Sequence, residues 1–504
     1  MAEADKLIGF LAFRRDEEGD ITNFVVSPDR DGLDKWKAGS SRSLEETNVT
    51  PDVEEVKKNL EDPTSKVRDR VAGMLDRFRK SMTSVHSMID FTSAVAPSMA
   101  HYFINQKLAT HARKNLKVVE DDGVVSVYEI SGNGFSDIRS LLDEFDIDKQ
   151  GFDALPSATL LSLVATFDSY FSEVVRFFLS VHPERYTGSD KPISLKEIFA
   201  KKNLEEAVLQ VIDNEINNLM RGSHTDQVQF IESHLDIKII GHYERWPNFV
   251  EIFERRNLVA HGNLVVNEPY IVNCKSAKYK DIEKLQVGEQ LSLTPRYLHR
   301  ATDVLSEFGI LLVFVLWRKH ITNSGEDAFR YINQTSYNII HAKRSRLAQR
   351  LLEFALYKQR HDCSDLIVRM MLINLANTHK KMRNDVKCQE VISSMDWTAS
   401  DDNFQICIAS LEGDVEKVVS LMPGLAARKG PDARGINANS FRAWPIFDWV
   451  RDDPKINETF ERVYGEPMRS KVADAVTSVK TSEVQEPEAG ADVLSTIETG
   501  VTRH

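Results

Sequence analysis

From Ala158 to Val181 the chain carries apolar residues at one helical period. Leu160, Leu163, Val164, Phe167, Tyr170, Phe171, Val174, Phe178 and Val181 keep a 3.6-residue spacing for almost seven turns. A stripe of that length must be buried against other helices, so the chain is expected to be mainly α with a central helical bundle. His182-Pro183 closes the helix, because a residue before proline is pushed out of the helical region. Asp168 and Ser169 interrupt the apolar run near its middle.

The 504 residues suggest about three domains. Residues 1–150 read as an α-rich region with short strands, 155–320 as the central bundle with a short β excursion, 322–466 as a helical-repeat-like array, and 467–504 as a disordered polar tail. In the first region the opening fifty residues are polar and punctuated, with SPDRDGLDKWKAGSSRS reading as turns and loop. Val67, Val71, Met74, Leu75 and Phe78 then recur at helical spacing, and a second helical stretch runs from about Ser84 to Lys114. VVEDDGVVSVYEI reads as two strands around Asp-Asp-Gly. DEFDIDKQGF places Asp146, Asp148, Gln150 and Gly151 as in a calcium loop, but Ser157 stands where the closing Glu is required, which excludes that reading.

Further helices are expected at Leu204–Met220, Thr225–His234 and Trp246–His261, the last with Pro247 in its first turn and Gly262 just past its end. NLVVNEPYIVNC reads as the β excursion, and Ser292-Leu-Thr-Pro as the start of a long helix through Trp317. In the array Leu351, Leu352, Phe354 and Leu356 serve as apolar anchors, without Leu347, and Leu366 to Leu375 continue the pattern. FQICIASLEGDVEKVVSLM reads as a helix pair pivoting on Gly413-Asp414, as in tetratricopeptide-like stacks that bind partner proteins, although no second copy at a fixed period is visible. Trp246 and Trp444 both open Trp-Pro-x-Phe segments, read as helix starts with buried aromatics.

A net charge of −12 argues against a basic coat for duplex DNA. Between His341 and Lys387, however, 11 Lys/Arg face 4 Asp/Glu, so this segment carries +7 and the remainder −19. Lys343, Arg344, Arg346 and Arg350 are its candidate nucleic-acid contacts, and the bland alternative is a set of solvated helix faces. The four cysteines (Cys274, Cys363, Cys388, Cys407) show no CxxC or zinc-finger spacing and read as reduced, buried thiols. The N-terminus has no basic n-region or cleavage site. The longest apolar run, Ile310–Trp317, falls short of the roughly 18–20 residues that span a bilayer. A cytoplasmic protein with no membrane partner is expected, and the glycosylation-type matches at Asn48, Asn333 and Asn457 then carry no meaning.

The chain has no phosphate loop, no H-E-x-x-H, no G-x-S-x-G elbow and no G-x-G-x-x-G after a strand. What remains is FERRNLVAHGN, which puts Arg256, Asn257 and His261 as R-N-x3-H at the end of a helix. This motif, the long apolar helix ATFDSYFSEVVRFFL with its embedded acid, the entry RWPNFVEIFERRN and the following GEQLSLTPRYLHRATDVL together resemble the HEPN (higher eukaryotes and prokaryotes nucleotide-binding) domains over roughly Pro156 to His320. The likeness is greatest to the prokaryotic branch associated with toxin and anti-phage defence. It implies a metal-independent endoribonuclease acting on RNA as a homodimer.

The chemistry of the residues agrees with that implication. RNA supplies its own nucleophile, the 2′-OH, and a histidine with an ordinary pKa of about 6.5 serves as acid or base near neutral pH. A guanidinium stabilises the charge growing on the phosphoryl oxygens. Neither metal nor cofactor is needed. His261 is then the acid/base, Arg256 the phosphate ligand and Asn257 an orienting group. Asp168 either accepts hydrogen bonds from Arg256 and holds it or is a helix-surface or capping carboxylate, and Arg255 is expected to point elsewhere, with a phosphate contact as its lesser reading. Five residues apart on a helix is about 140° around the axis, so Arg256 and His261 diverge, and two subunits would be needed to converge them. In the competing reading Arg256 is a surface ion-pair residue beside Glu254 and His261 a helix C-cap. The protein would then be a non-catalytic dimerisation or nucleotide-binding module.

Overall fold

The computed structural model describes residues 10–15, 21–27, 63–95, 107–121, 126–129, 134–182, 204–262, 264–322, 324–359, 363–428 and 435–468. The chain divides into two units, Met1–Ser65 and Lys66–His504. In the first, β1 (Phe10–Arg15) pairs antiparallel with β2 (Ile21–Ser27) as a hairpin that no periodicity marked, and the stretch read as turns and loop lies almost entirely outside the described residues. The expected tail lies almost entirely outside the described residues.

The second unit is mainly helical. The two helical stretches expected near 67–78 and 84–114 begin as one helix, α1 (Pro63–Ala94), followed later by a separate helical segment over 107–115. Strands β3 (Lys117–Asp121) and β4 (Ser126–Glu129) form the expected pair. Helix α2 (Gly134–Val181) then runs through 150–155, where a domain boundary was expected, and includes Pro156. No side chain from Ser136 to Ala158 is buried. In that exposed stretch water can take up the carbonyl that proline leaves unbonded, which lowers the cost of an interior proline.

The apolar stripe of α2 builds the core. It packs against α3 (Leu204–Leu219), α5 (Trp246–Gly262) and α7 (Pro295–His320), while α4 (His224–His234) rests on α5. Phe167 is fully buried at the centre, with ring centroids 5.6 Å from both Phe249 and Phe253 and 6.0 Å from Phe308. Contacts of this geometry add about 0.5–1.5 kcal/mol per pair beyond area burial. On its other side α1 closes the core: Phe78 stacks on Tyr170 at 3.8 Å, and the Tyr170 hydroxyl donates to the Gly309 carbonyl. Farther along the same α1–α7 seam, burial together with Arg344 and His299 pushes the His86 imidazole down to about 4.

Most of the segment expected to be a β excursion is helical. Its start is β-paired, with Val265 bridging Gln290 and Leu264 and Val266 hydrogen-bonded to the 288–291 backbone, before α6 (Glu268–Ser276) begins. Asn267 accepts from the Tyr270 N–H and Pro269 lies in the first turn, so capping decides the local structure.

The C-terminal part is a stack of helix pairs: α8 (Gly325–His341) with α9 (Ser345–Glu353), α10 (Asp365–Lys381) with α11 (Asp385–Ser393), and α12 (Asp402–Glu412) with α13 (Val415–Ala426). Contacts link α8 to α10 and α10 to α12. The pivot expected at Gly413-Asp414 is present, and it has two counterparts. Lys343, Arg383 and Gly413 all have positive φ (61°, 59° and 75°). The next N–H in each turn, from Arg344, Asn384 and Asp414, donates to the carbonyl five residues back, that of Ile339, His379 and Ala409. This is one helix-ending motif used three times. The pivots stand 40 and then 30 residues apart, so no fixed period exists to be found. Leu347, discounted as an anchor, is buried at 1% exposure within α9. Trp444 opens a short 3-10 helix (Pro445–Trp449) in which Phe447 is buried. Then α14 (Ala438–Ala443), just before it, and α15 (Pro454–Tyr464) complete the stack, with α15 on α13. Among the described residues no helix is long and apolar enough to cross a membrane.

A Cβ on Gly309 would lie 2.6 Å from Phe78 Cε1 and 3.0 Å from Tyr170 Cε1. Gly309→Ala is therefore expected to destabilise the protein by about 1–3 kcal/mol in urea unfolding. At an open helical position the same change would stabilise by roughly 0.5–1 kcal/mol, and a stabilised variant would contradict this packing.

Candidate functional site

The motif helix α5 starts at Trp246-Pro247, and Phe249 and Phe253 turn into the Phe167 cluster. That anchoring fixes what the following residues face. Arg255 turns inward, Arg256 lies half-buried toward α2, and Asn257 and His261 are exposed. Asn257 and His261 lie four residues apart on one helix face, as their spacing requires. Just beyond, Leu264 adopts a left-handed φ of 64° and its N–H donates to the Leu258 carbonyl, which ends the helix.

Asp168 projects from α2 one residue after Phe167. Its Oδ1 accepts a 2.7 Å hydrogen bond from His224 Nε2, and its Oδ2 lies 3.9 Å from Arg256 Nη2. The hydrogen bonds expected from Arg256 to Asp168 are not formed: the two meet only at ion-pair distance, and the carboxylate's short hydrogen bond goes to His224. The His224 ring stacks on Phe253 with centroids 3.4 Å apart. A capping box between Ser223 and Asp226 fixes the start of α4 and with it the position of His224. Arg256 Nε is buried with no hydrogen-bond partner. Apart from the Asp168 ion pair its guanidinium makes no hydrogen bond among the described residues.

No family model matches the chain, and neither a curated protein nor a solved structure was found similar to it.

Arg255 points away from the candidate site, into a buried network. Its Nε donates to Glu251 Oε1 at 2.6 Å, its Nη1 to the Ser292 carbonyl at 3.0 Å, and its guanidinium lies 4.0 Å over the Tyr297 ring. Tyr270 and Tyr297 also donate to Glu251, at 2.9 and 3.0 Å. Burial first, then the Glu251 charge, raises both tyrosine hydroxyls above their ordinary value, so both remain protonated donors. This network ties α5, α6 and α7 together directly behind the motif.

Two of the basic-segment candidates are also claimed by structure. Arg344 is 6% exposed and makes two hydrogen bonds to Asp303 Oδ1, at 2.9 and 2.6 Å, and one to Ser306. Arg350 is half-buried, 3.9 Å from Glu307. Lys343 and Arg346 remain exposed, Arg346 on a groove of about 650 Å³ shared with Glu353, His379, Lys387 and Glu390. The segment's excess charge is thus partly spent on acids of neighbouring helices, and its groove has mixed sign.

Sequence reasoning passed over His224. Its partner Asp168 is 56 residues away, and only the Ser223–Asp226 pair signalled its place at a helix start. Glu251 was likewise unmarked. Glu251→Gln leaves Arg255 buried without its counter-charge, and we expect it to cost about 3–5 kcal/mol in urea unfolding. A loss below about 1 kcal/mol would show that the network contributes little.

Proposed function

We propose that the protein is a metal-independent endoribonuclease of HEPN type, working as a cytoplasmic homodimer in a prokaryotic toxin or anti-phage setting. One observation carries this reading: Arg256 is steadied by Asp168 with its donors largely unspent, on the same helix that presents Asn257 and His261 to solvent. Arg256 binds the scissile phosphate and stabilises its growing charge. His261 takes the 2′-OH proton or protonates the leaving 5′-oxygen, and Asn257 orients it or the substrate. Asp168 and His224 act through Arg256 as positioning residues. Because Arg256 and His261 diverge around the helix axis, two subunits complete one cleft. Exposed Lys343 and Arg346 extend the RNA contact.

The three stacked helix pairs favour a second reading, in which the protein is a non-catalytic module whose C-terminal array binds a partner protein.

Incubating the purified protein with total RNA in EDTA separates the two. Cleavage is expected, with Arg256→Ala and His261→Ala each lowering the rate by about 10²–10⁴-fold, and Asp168→Asn or His224→Ala by less. RNA left intact at every wild-type concentration supports the module instead. A monomeric variant that cleaves at the wild-type rate would refute the shared cleft.

A further inference from the structure

Helix α1 places His86 and Asp90 one turn apart on one face, and His299 approaches them from the first turns of α7. Among the described residues these three form a group whose donor atoms all lie within 4.8 Å of one another. Asp90 is the hinge of the group. Its Oδ1 is 2.9 Å from His299 Nε2 and its Oδ2 is 3.6 Å from His86 Nδ1. Zinc–ligand distances of 2.0–2.2 Å in a tetrahedron put neighbouring donors about 3.3–3.6 Å apart, so small side-chain rotations suffice. The imidazole rings lie with centroids 4.0 Å apart, and the second nitrogen of His299, Nδ1, is buried with no hydrogen-bond partner.

We propose that His86, Asp90 and His299 bind a divalent transition-metal ion of the zinc class. Two neutral imidazoles and one carboxylate suit Zn²⁺, Co²⁺, Ni²⁺ or Fe²⁺, and the shortage of oxygen donors disfavours Ca²⁺ and Mg²⁺. The nearby Arg344 charge is offset by its paired hydrogen bonds to Asp303, one turn beyond His299. Three protein donors leave at least one coordination position open. It lies on the solvent side, where the Asp90 side chain is 65% exposed while those of His86 and His299 are about a quarter exposed. The ion joins α1 to α7 and uses none of the residues assigned to RNA cleavage.

Full-length protein stripped with chelator and desalted is titrated with Co²⁺, then with Zn²⁺, while visible absorption and melting temperature are recorded. The expected result is one Co²⁺ per chain with the intense band of a four- or five-coordinate site, its displacement by Zn²⁺, and a rise in Tm. His299→Ala should weaken Co²⁺ binding at least 100-fold and abolish the Tm rise. Asp90→Asn, at an exposed position that does not threaten folding, should weaken it at least tenfold. A wild-type spectrum no different from aqueous Co²⁺ would overturn the proposal, as would unchanged affinity in folded Asp90→Asn and His299→Ala proteins.

Discussion

Phe167 meets Phe249 and Phe253 of the motif helix and Phe308 of α7 at one point, fully out of solvent. With 3.6 residues per turn, burying Phe167 turns Asp168 about 100° away, and burying Phe253 sets the face on which Arg256 emerges. The same Phe253 ring carries His224. The polar group Asp168–Arg256–His224 is therefore the outer layer of an aromatic contact and needs no separate scaffold. Anything that rotates α2 or α5 by a fraction of a turn would dissolve it.

Two adjacent arginines illustrate how sharply that register divides roles. Arg255 is enclosed by Glu251, Tyr270, Tyr297 and the Ser292 carbonyl, and serves to fix α5 against α6 and α7. Arg256, one residue on, meets a single carboxylate at ion-pair distance. A guanidinium saturated with partners is structural, and one left with unused donors suits a phosphate. The basic segment divides the same way, with Arg344 locked to Asp303 while Lys343 and Arg346 face water.

What the sequence disclosed was what short-range periodicity encodes. The α2 stripe, the Trp246-Pro247 start, the Thr294-Pro295 start and the Gly413-Asp414 pivot each involve neighbours in the chain, and each stands in the fold. Two of the three matching turns were hidden because Lys343 and Arg383, not glycines, take the left-handed position. The stretch through Tyr270 and Val272 imitates a strand by its apolar content, and the Asn267 cap with Pro269 overrides it. His224 and Glu251 gain their importance from partners brought together by tertiary packing, as do His86 and His299. Charge counting over 341–387 failed for Arg344 for the same reason: its counter-ion belongs to α7.

The central claim is that Arg256 and His261 promote attack by RNA's own 2′-hydroxyl. Product ends report this directly, because that attack expels the 5′-oxygen and closes a ring on the phosphate. Mass spectrometry of fragments from a defined RNA strand should find 2′,3′-cyclic phosphate and 5′-hydroxyl termini, and an all-2′-deoxy strand of the same sequence should remain whole. Fragments bearing 5′-phosphate and 3′-hydroxyl ends, or cleavage of the deoxy strand, would contradict it.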